Sequence, residues 1–262
     1  FKQKTAYEIY QCDWSSDVCS SDLLTALNDV SFQMDEGSVT AVIGPNGAGK
    51  TTLFNCITGM YRPSDGLVRF EGQDITGMRA HQVAKKQIAR TFQNLALFRG
   101  LSVVENLMVG SYLQGSSGLL QGMLQWGRAA VQQSHVRSEA FDMLEFLGLQ
   151  DLAHARPSEL PYGQMKQVEF ARALMQKARL ILLDEPMAGM STIEKQSMTD
   201  LILKVRNNLK VSFLIVEHDI PVIMQLSDKI IVLDFGVKIA DGPPEKVRSD
   251  PAVIAAYLGH GV

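Results

Sequence analysis

Two patterns of hydrophobic and polar residues recur along the chain. Leu27, Val30 and Phe32 alternate with polar residues, which predicts a strand that is buried on one face. Other runs are apolar at all or nearly all positions, as is typical of parallel strands that are buried on both faces. These runs lie at residues 39–43, 180–183, 213–216 and 230–233.

Helices are predicted between these strands. Residues 51–58 follow the first apolar run, and residues 220–226 separate the last two. Val168, Ala171 and Leu174 fall on one face of a helix over residues 165–174. This alternation of strands and helices favours an α/β fold around a mainly parallel sheet.

Residues 1–23 do not share these patterns. Ser-Ser-Asp is repeated at residues 15–17 and 20–22 without the periodicity of a helix or strand. A polar segment with few aliphatic residues is expected to be poorly ordered, and we interpret it as a non-native tail. A native but irregular leader is the alternative. The folded domain is then predicted to span residues 24–262.

The composition is typical of a soluble globular protein and argues against several other classes. Of the 262 residues, 46% are hydrophobic and 20% are charged, as in soluble globular domains. The net charge of −3 gives no support for a nucleic-acid-binding protein. The apolar runs are too short to cross a bilayer, so a membrane role would need a partner. Three cysteines are too few for a disulfide framework, and Cys56 is predicted to be a buried free thiol.

The strand at residues 39–43 is followed by the most informative motif. Residues 44–51 match the phosphate-binding loop (P-loop) pattern Gly-x-x-x-x-Gly-Lys-Ser/Thr at every fixed position. Its glycines let backbone N–H groups point at phosphate oxygens, and the following helix adds the positive end of its dipole. Lys50 is expected to reach the β- and γ-phosphates, and the Thr51 hydroxyl to bind Mg²⁺.

The predicted nucleotide-binding residues of this loop are Gly44, Pro45, Asn46, Gly47, Ala48, Gly49, Lys50, Thr51 and Thr52. A glycine-rich turn that binds nothing is the alternative interpretation. A P-loop by itself does not separate GTPases, kinases and transport ATPases.

Two acids follow the apolar run at residues 180–183. Ligands of parallel sheets bind at the carboxyl ends of the strands, where the P-loop also lies. Asp184 is therefore predicted to hold Mg²⁺, and Glu185 to polarise the water that attacks the γ-phosphate. Paired acids can also be ordinary exposed turn residues.

Three further motifs occur in a characteristic order. Gln93 ends the sequence Arg-Thr-Phe-Gln, residues 160–164 read Leu-Pro-Tyr-Gly-Gln before a helix, and His218 follows the strand at residues 213–216. With the P-loop and the acids, this set resembles the ATP-binding cassette (ABC) family over residues 24–262. In that family they correspond to the glutamine loop, the signature and the switch histidine, and residues 180–185 to the Walker B motif.

The resemblance implies a RecA-like P-loop NTPase core with a mainly parallel sheet and an antiparallel β layer. An α-helical subdomain is expected at about residues 95–174. Gln93 would bind Mg²⁺ or the attacking water, and His218 would bond to the γ-phosphate and act with Glu185 and Gln93 in catalysis. Outside the family context, Gln93 could be an ordinary loop residue and His218 a structural one.

In this family two cassettes pack head to tail, so the signature of one meets the nucleotide of the other. Tyr162, Gly163 and Gln164 are the expected nucleotide contacts, because free N–H groups at a helix start attract phosphate. The family usually has Ser at the position of Pro161, Gly at that of Tyr162, and Asp or Asn at that of Ser191 in the segment called the D-loop. The resemblance therefore implies that the backbone of the signature replaces the contact of the missing Ser hydroxyl, and that Tyr162 marks a subtype.

The adenine-stacking aromatic of the family falls at or near Ser21, where this chain has none in register. Base stacking contributes about 1–3 kcal/mol, so weaker ATP binding is expected.

The signature tyrosine, the insertion at residues 115–127 and the ending at residues 250–259 are similar to the ATPases of branched-chain amino-acid importers. The resemblance implies Mg-ATP hydrolysis with a second cassette subunit, two integral membrane permeases and, indirectly, a periplasmic or extracellular binding protein. It implies a peripheral position on the cytoplasmic face of the inner or plasma membrane. Leu97 and Phe98 could contact the permease, or be buried in the helical subdomain.

Urea or amide importers, lipopolysaccharide exporters and non-transport ABC ATPases are alternatives. A non-catalytic nucleotide-binding module is another, though Glu185 and His218 argue against it.

Overall fold

The structure, a computed structural model, describes residues 6–10, 26–91, 95–112 and 126–258. The strands are β1 Ala6–Tyr10, β2 Phe32–Asp35, β3 Val39–Ile43, β4 Leu67–Phe70, β5 Gln73–Asp74, β6 Ile88–Arg90, β7 Leu180–Asp184, β8 Ser212–Val216, β9 Lys229–Asp234 and β10 Val237–Gly242. The helices are α1 Lys50–Ile57, α2 Ala80–Lys85, α3 Val103–Tyr112, α4 Trp126–Leu147, α5 Tyr162–Leu174, α6 Thr192–Leu209, α7 Ile220–Leu226, α8 Pro244–Arg248 and α9 Pro251–Leu258.

A six-stranded sheet in the order β10-β9-β3-β8-β7-β6 forms the centre of the molecule. All its neighbouring pairs are parallel except β10 with β9. Each residue of β3, β7 and β8 is buried, as the apolar runs predict. Val216 pairs with Val42 and with Asp184, so these three strands end at the same edge of the sheet.

The predicted antiparallel layer is a four-stranded sheet in the order β2-β1-β4-β5. Phe32 and Met34 of β2 are buried and Gln33 and Asp35 are exposed, so this strand is buried on one face. The predicted strand is wrong for Leu27 and Val30, which lie in the irregular segment before β2. An apolar cluster between this layer, α1 and the central sheet includes Leu27, Phe54 and Val42. Cys56 belongs to it, and is buried and outside any disulfide, as predicted.

The expectation that residues 1–23 are disordered is wrong for five of them. Ala6–Tyr10 forms β1 and pairs antiparallel with both β2 and β4. Its sequence Ala-Tyr-Glu-Ile-Tyr contains residues that favour strands, and its neighbours supply the backbone partners. The Ser-Ser-Asp repeats, Cys12, Cys19 and Ser21 lie outside the described residues, so the expectations for them remain predictions.

Helices α3, α4 and α5 come between β6 and β7 in the chain, within the range expected for a helical subdomain. Their apolar residues, among them Leu107, Leu144 and Val168, join those of β7 and β8 in one large buried cluster. Most of the predicted insertion at residues 115–127 is outside the described part of the chain. Among the helices that the structure describes, none has the length and hydrophobicity needed to span a membrane.

The contact between the sheet and the signature helix can be tested at Phe213. This ring is fully buried in β8, and its centroid lies 5.9 Å from that of Phe170 in α5. Phe213→Ala is expected to lower the free energy of unfolding by about 3–5 kcal/mol in urea titrations, because it opens a cavity. Phe98→Ala is the matched control, since that ring is 51% exposed, and should change stability by less than about 0.5 kcal/mol. Equal effects of the two substitutions would contradict this account of the core.

Candidate functional site

The P-loop joins β3 to α1 at the carboxyl edge of the sheet. Gly49 has a φ of 97°, and a Cβ placed there would lie 2.6 Å from the Ala26 carbonyl oxygen. At Gly44, a Cβ would lie 2.1 Å from the carbonyl oxygen of Leu233. A Cβ at Gly47 would instead meet open space. Packing therefore requires glycine at the two ends of the loop, and the middle faces a cavity.

Lys50, the first residue of α1, is folded back into the loop. Its Nζ donates hydrogen bonds to the carbonyl oxygens of Gly44 at 2.6 Å and Pro45 at 2.8 Å. Burial lowers the pKa of Lys50, and the nearby carboxylates of Glu185 and Asp184 act in the opposite direction. The lysine thus holds the loop closed and carries its charge to the centre of the predicted site.

A cavity of about 220 Å³ lies against the loop. It is lined by Ala26, Asn46, Gly47, Ala48, Gly49, Lys50, Thr51, Thr52, Glu185, Val216 and His218. The fold therefore brings seven P-loop residues together with two of the residues predicted for catalysis. Gln93, the third, lies outside the described residues.

Glu185 and His218 are in direct contact at this cavity. His218 Nε2 lies 2.8 Å from Glu185 Oε1. Glu185 has a φ of 49°, a left-handed conformation that is uncommon for residues other than glycine. Its backbone N–H donates to the Val216 carbonyl at 2.9 Å, which fixes this turn against the end of β8. The strained turn directs the carboxylate towards the histidine.

Asp184 forms an ion pair that sequence reasoning missed. Arg90 Nη2 donates to Asp184 Oδ2 at 2.7 Å, and both side chains are largely buried. The guanidinium also donates to Asn55 Oδ1 at 2.7 Å and lies 5.6 Å from the centroid of the Phe54 ring. Arg90 ends β6, two residues before Phe92, so the pair ties the start of the glutamine loop to the acid. A basic residue at the end of a strand next to β7 was the available signal.

Glu217 is the second residue that sequence reasoning missed. Its Oε1 accepts a hydrogen bond from the Met187 N–H at 2.7 Å, and its Oε2 accepts one from the His218 N–H at 3.0 Å. Burial raises the pKa of Glu217, although these two bonds oppose the shift. The carboxylate links the loop after Glu185 to the loop that carries His218, and so positions both.

The C-terminal helix also reaches the P-loop. Burial raises the pKa of Tyr257 in α9 to about 12, and a hydrogen bond with the backbone of Gly44 acts in the opposite direction. The end of the chain therefore supports the first residue of the loop. From its sequence, this segment indicates only a subtype, and its contact with the loop depends on the fold.

The signature residues lie away from this cavity. Tyr162 begins α5 and is 40% exposed, Gly163 is buried, and Gln164 is partly buried. The expectation of a free N–H group at Gly163 is wrong, because this group donates to Glu194 Oε1 at 3.2 Å. Glu194 belongs to the first turn of α6, so a neighbouring helix supplies the acceptor.

The residues predicted to hold Mg²⁺ suit that ion chemically. The Thr51 hydroxyl and the Asp184 carboxylate are the oxygen ligands that Mg²⁺ prefers. Within the described residues there is no group of three or more His, Cys, Asp or Glu side chains that could hold a metal together. Mg²⁺ is usually bound by one or two carboxylates with substrate phosphates and water, which fits this donor set.

Two family profiles match parts of this chain. A family profile described as "ABC transporter" matches residues 27–188. The chain belongs to the ABC transporter family. A second profile, "Branched-chain amino acid ATP-binding cassette transporter", matches residues 237–262 of this cassette. The predicted family and fold class are confirmed.

Individual relatives agree with this assignment. The cassette is 40% identical over 236 residues to the high-affinity branched-chain amino acid transport ATP-binding protein BraF of Pseudomonas aeruginosa, covering 90% of this chain and 92% of that protein. It is 39% identical over 236 residues to LivG of Escherichia coli, a protein with the same description, with the same coverage. It is also similar to a crystal structure of the ADP conformation of an ATP-binding cassette of an ABC transporter. That similarity has a TM-score of 0.82 and 32% identity, and covers 99% of this chain and 100% of the other.

The Arg90–Asp184 pair can be tested without nucleotide. Arg90→Gln is expected to lower the free energy of unfolding by about 3–5 kcal/mol, because it leaves a buried carboxylate without its charged partner. The double substitution with Asp184→Asn should recover part of this loss, with a coupling of about 0.5–3 kcal/mol. Urea titrations of the four proteins measure both effects. If the losses of stability from the two single substitutions simply add in the double variant, the pair does not contribute as a unit.

Proposed function

We propose that this cassette hydrolyses Mg-ATP to drive a transporter that imports branched-chain amino acids. The observation that carries the proposal is the cavity that joins Lys50, Glu185 and His218 beside the P-loop. A lysine that can reach the phosphates and an acid that can position the attacking water are groups that phosphoryl transfer to water uses.

Nucleotide binding follows from the loop geometry. Residues 47–49 lead directly into the start of α1 at Lys50, where the helix dipole favours phosphate. Lys50 would exchange its two carbonyl acceptors for oxygens of the β- and γ-phosphates. Thr51 and Asp184 would hold Mg²⁺, which supplies positive charge to the phosphates. Because the loop is already folded by Lys50 and the glycines, little reorganisation is needed.

Hydrolysis is assigned to Glu185 with His218. The Glu185 carboxylate accepts a proton from a water molecule while the oxygen of that water attacks the γ-phosphorus. The bond from the γ-phosphorus to the β–γ bridging oxygen breaks. ADP and phosphate are the products. His218 orients the carboxylate through the 2.8 Å contact and can bond to the γ-phosphate. Glu217 holds the backbone of both loops, and Gln93 keeps its proposed role at the metal or the water.

The position of the signature supports a dimer. Tyr162, Gly163 and Gln164 do not line the cavity of their own chain. Tyr162 is 40% exposed, and Ile193, in the first turn of α6, is 84% exposed. A second cassette, identical or related, would cover this surface and bring its nucleotide to α5. This arrangement is the head-to-tail dimer.

A groove beside the glutamine loop fits the proposed permease. Its volume is about 370 Å³, and Met60, Val83, Ile88, Phe98 and Val109 supply much of its apolar lining. Phe98 is 51% exposed, whereas Leu97 packs partly against the helical core. The predicted contact is thus supported for Phe98 and not for Leu97.

The groove is connected to the signature helix. The Ala96 N–H donates to Glu169 Oε1 at 3.2 Å, and Arg172 donates to the Ala96 carbonyl. A permease that moves this segment would therefore move α5. Because the proposed permease lies in the membrane, the cassette would be bound to it at the cytoplasmic face of the membrane.

The substrate class rests on the relatives. The C-terminal profile match and the names of BraF and LivG all specify branched-chain amino acids. The alternative importers and exporters have no comparable support. Uptake of labelled leucine by vesicles that contain the complete transporter would test the class, with urea as the competing substrate. Transport of urea but not of leucine would overturn it.

Removal of the proposed base is the main test of the mechanism. Glu185→Gln is expected to lower kcat for ATP hydrolysis by about 100-fold to 10,000-fold, because the amide cannot accept the proton. ATP should remain bound and the protein should be trapped as a dimer. Glu145→Gln removes one exposed acid from α4 and should leave kcat unchanged. Normal phosphate release by Glu185→Gln would exclude Glu185 from this role.

Phe98 tests the permease surface. Phe98→Ala is expected to weaken association with the detergent-solubilised permeases about tenfold or more, because it removes an aromatic anchor. Leu209→Ala is the control, since Leu209 is 45% exposed at the end of α6. Binding can be measured by titrating immobilised permeases. If Phe98→Ala and Leu209→Ala bind the permeases with equal affinity, the docking site does not include Phe98.

A further inference from the structure

The carboxylate of Glu194 occupies the N–H group that the signature would offer to a phosphate. Gly163 N donates to Glu194 Oε1 at 3.2 Å. Gly163 is buried although it is the second residue of an exposed helix start. A Cβ at Gly163 would lie 2.3 Å from Oε1, so the carboxylate is seated directly on the glycine. A phosphate from outside cannot reach this amide unless Glu194 moves.

Glu194 is held by a second set of bonds that does not involve the signature. Its Oε2 accepts from Ser191 N at 2.8 Å and from Ser191 Oγ at 2.7 Å. Ser191 caps α6, and these bonds form a capping box. They lower the pKa of Glu194, so the side chain is anionic at neutral pH. One oxygen therefore stabilises α6, and the other is available to the signature.

The residues beside the Gly163–Glu194 contact include two exposed side chains, Tyr162 and Ile193. Tyr162 packs against Gly189, where a Cβ would lie 3.3 Å from the ring. Ile193, next to Glu194, is 84% exposed. Lys195, which follows Glu194, forms an ion pair with Asp219, and Asp219 follows His218 in the sequence. The first turn of α6 thus connects the signature to the loop of the switch histidine in the same chain.

We propose that Glu194 is an internal competitor for the partner's γ-phosphate, which must displace it from Gly163 before the dimer closes. The inference rests on the proposed head-to-tail dimer. Both anions accept from the same backbone N–H, so they cannot occupy it together. The competition raises the ATP concentration that closure requires, and its release separates Glu194 from Gly163 while the bonds to Ser191 keep α6 capped.

The chain contains a matched control. Glu105 makes the same capping box at the start of α3, with Ser102 N and Ser102 Oγ each 2.7 Å from Oε2. Helix α3 carries no signature residue. Replacement of Glu105 by Gln therefore removes an equivalent charge from an equivalent capping box but leaves the signature unchanged.

The experiment measures ATP-dependent dimer formation by analytical ultracentrifugation, in a Glu185→Gln background that does not hydrolyse ATP. Adding Glu194→Gln is expected to lower the ATP concentration at half-maximal dimer by about twofold to fivefold, as for one charge at a helix start. Glu105→Gln should not change it. Binding of ADP to the monomer should be the same in all variants, because ADP lacks the γ-phosphate. A merely structural defect would instead raise the ATP requirement.

The outcomes separate the two proposals. If the parent protein forms no ATP-dependent dimer, the proposed dimer is overturned and the role of Glu194 with it. If the dimer forms but Glu194→Gln leaves its ATP requirement unchanged or increases it, the competition alone is overturned. If Glu105→Gln lowers the ATP requirement by the same factor, the effect belongs to helix capping, and the proposed competition is also overturned.

Discussion

Burial of the central strands on both faces is the constraint on which the site depends. The residues of β3, β7 and β8 are buried throughout, so these strands tolerate a charged side chain only where it has a partner. Charged residues and glycines are therefore concentrated where the strands end. Because the three strands are parallel and in register, their ends meet at one edge. The P-loop, the acids after β7 and the pair after β8 come together for this reason.

The charged groups at this edge are stabilised in three different ways. Lys50 donates to two carbonyls, Asp184 accepts from a guanidinium, and Glu217 accepts two backbone N–H bonds. Each arrangement offsets the cost of removing a charge from water. Each also fixes the direction of the group before a substrate arrives. Groups that are already oriented need little reorganisation during a reaction, which is a principal source of catalysis in such sites.

The features that could be predicted from the sequence are those encoded by neighbouring residues. The buried strands and the P-loop depend on local periodicity or on a contiguous motif. The contacts that were missed join residues far apart: 94 positions for Arg90–Asp184, 30 for Met187–Glu217 and 31 for Gly163–Glu194. They depend on which strands and helices become neighbours, which periodicity does not specify. Strand β1 was missed for a related reason, since β2 and β4 supply its hydrogen-bond partners.

The Ser–Glu capping boxes at the starts of α3 and α6 show how tertiary context changes the meaning of one local pattern. Ser102 with Glu105 and Ser191 with Glu194 have nearly the same geometry, and each predicts a helix start. Only at α6 does another helix place a glycine N–H against the second carboxylate oxygen. A helix start that suits a phosphate also suits a carboxylate, so a phosphate site between subunits is open to occupation by a neighbouring acid. An acid that keeps its bonds to Ser191 can leave Gly163 without uncapping α6, and this separation makes the contact reversible.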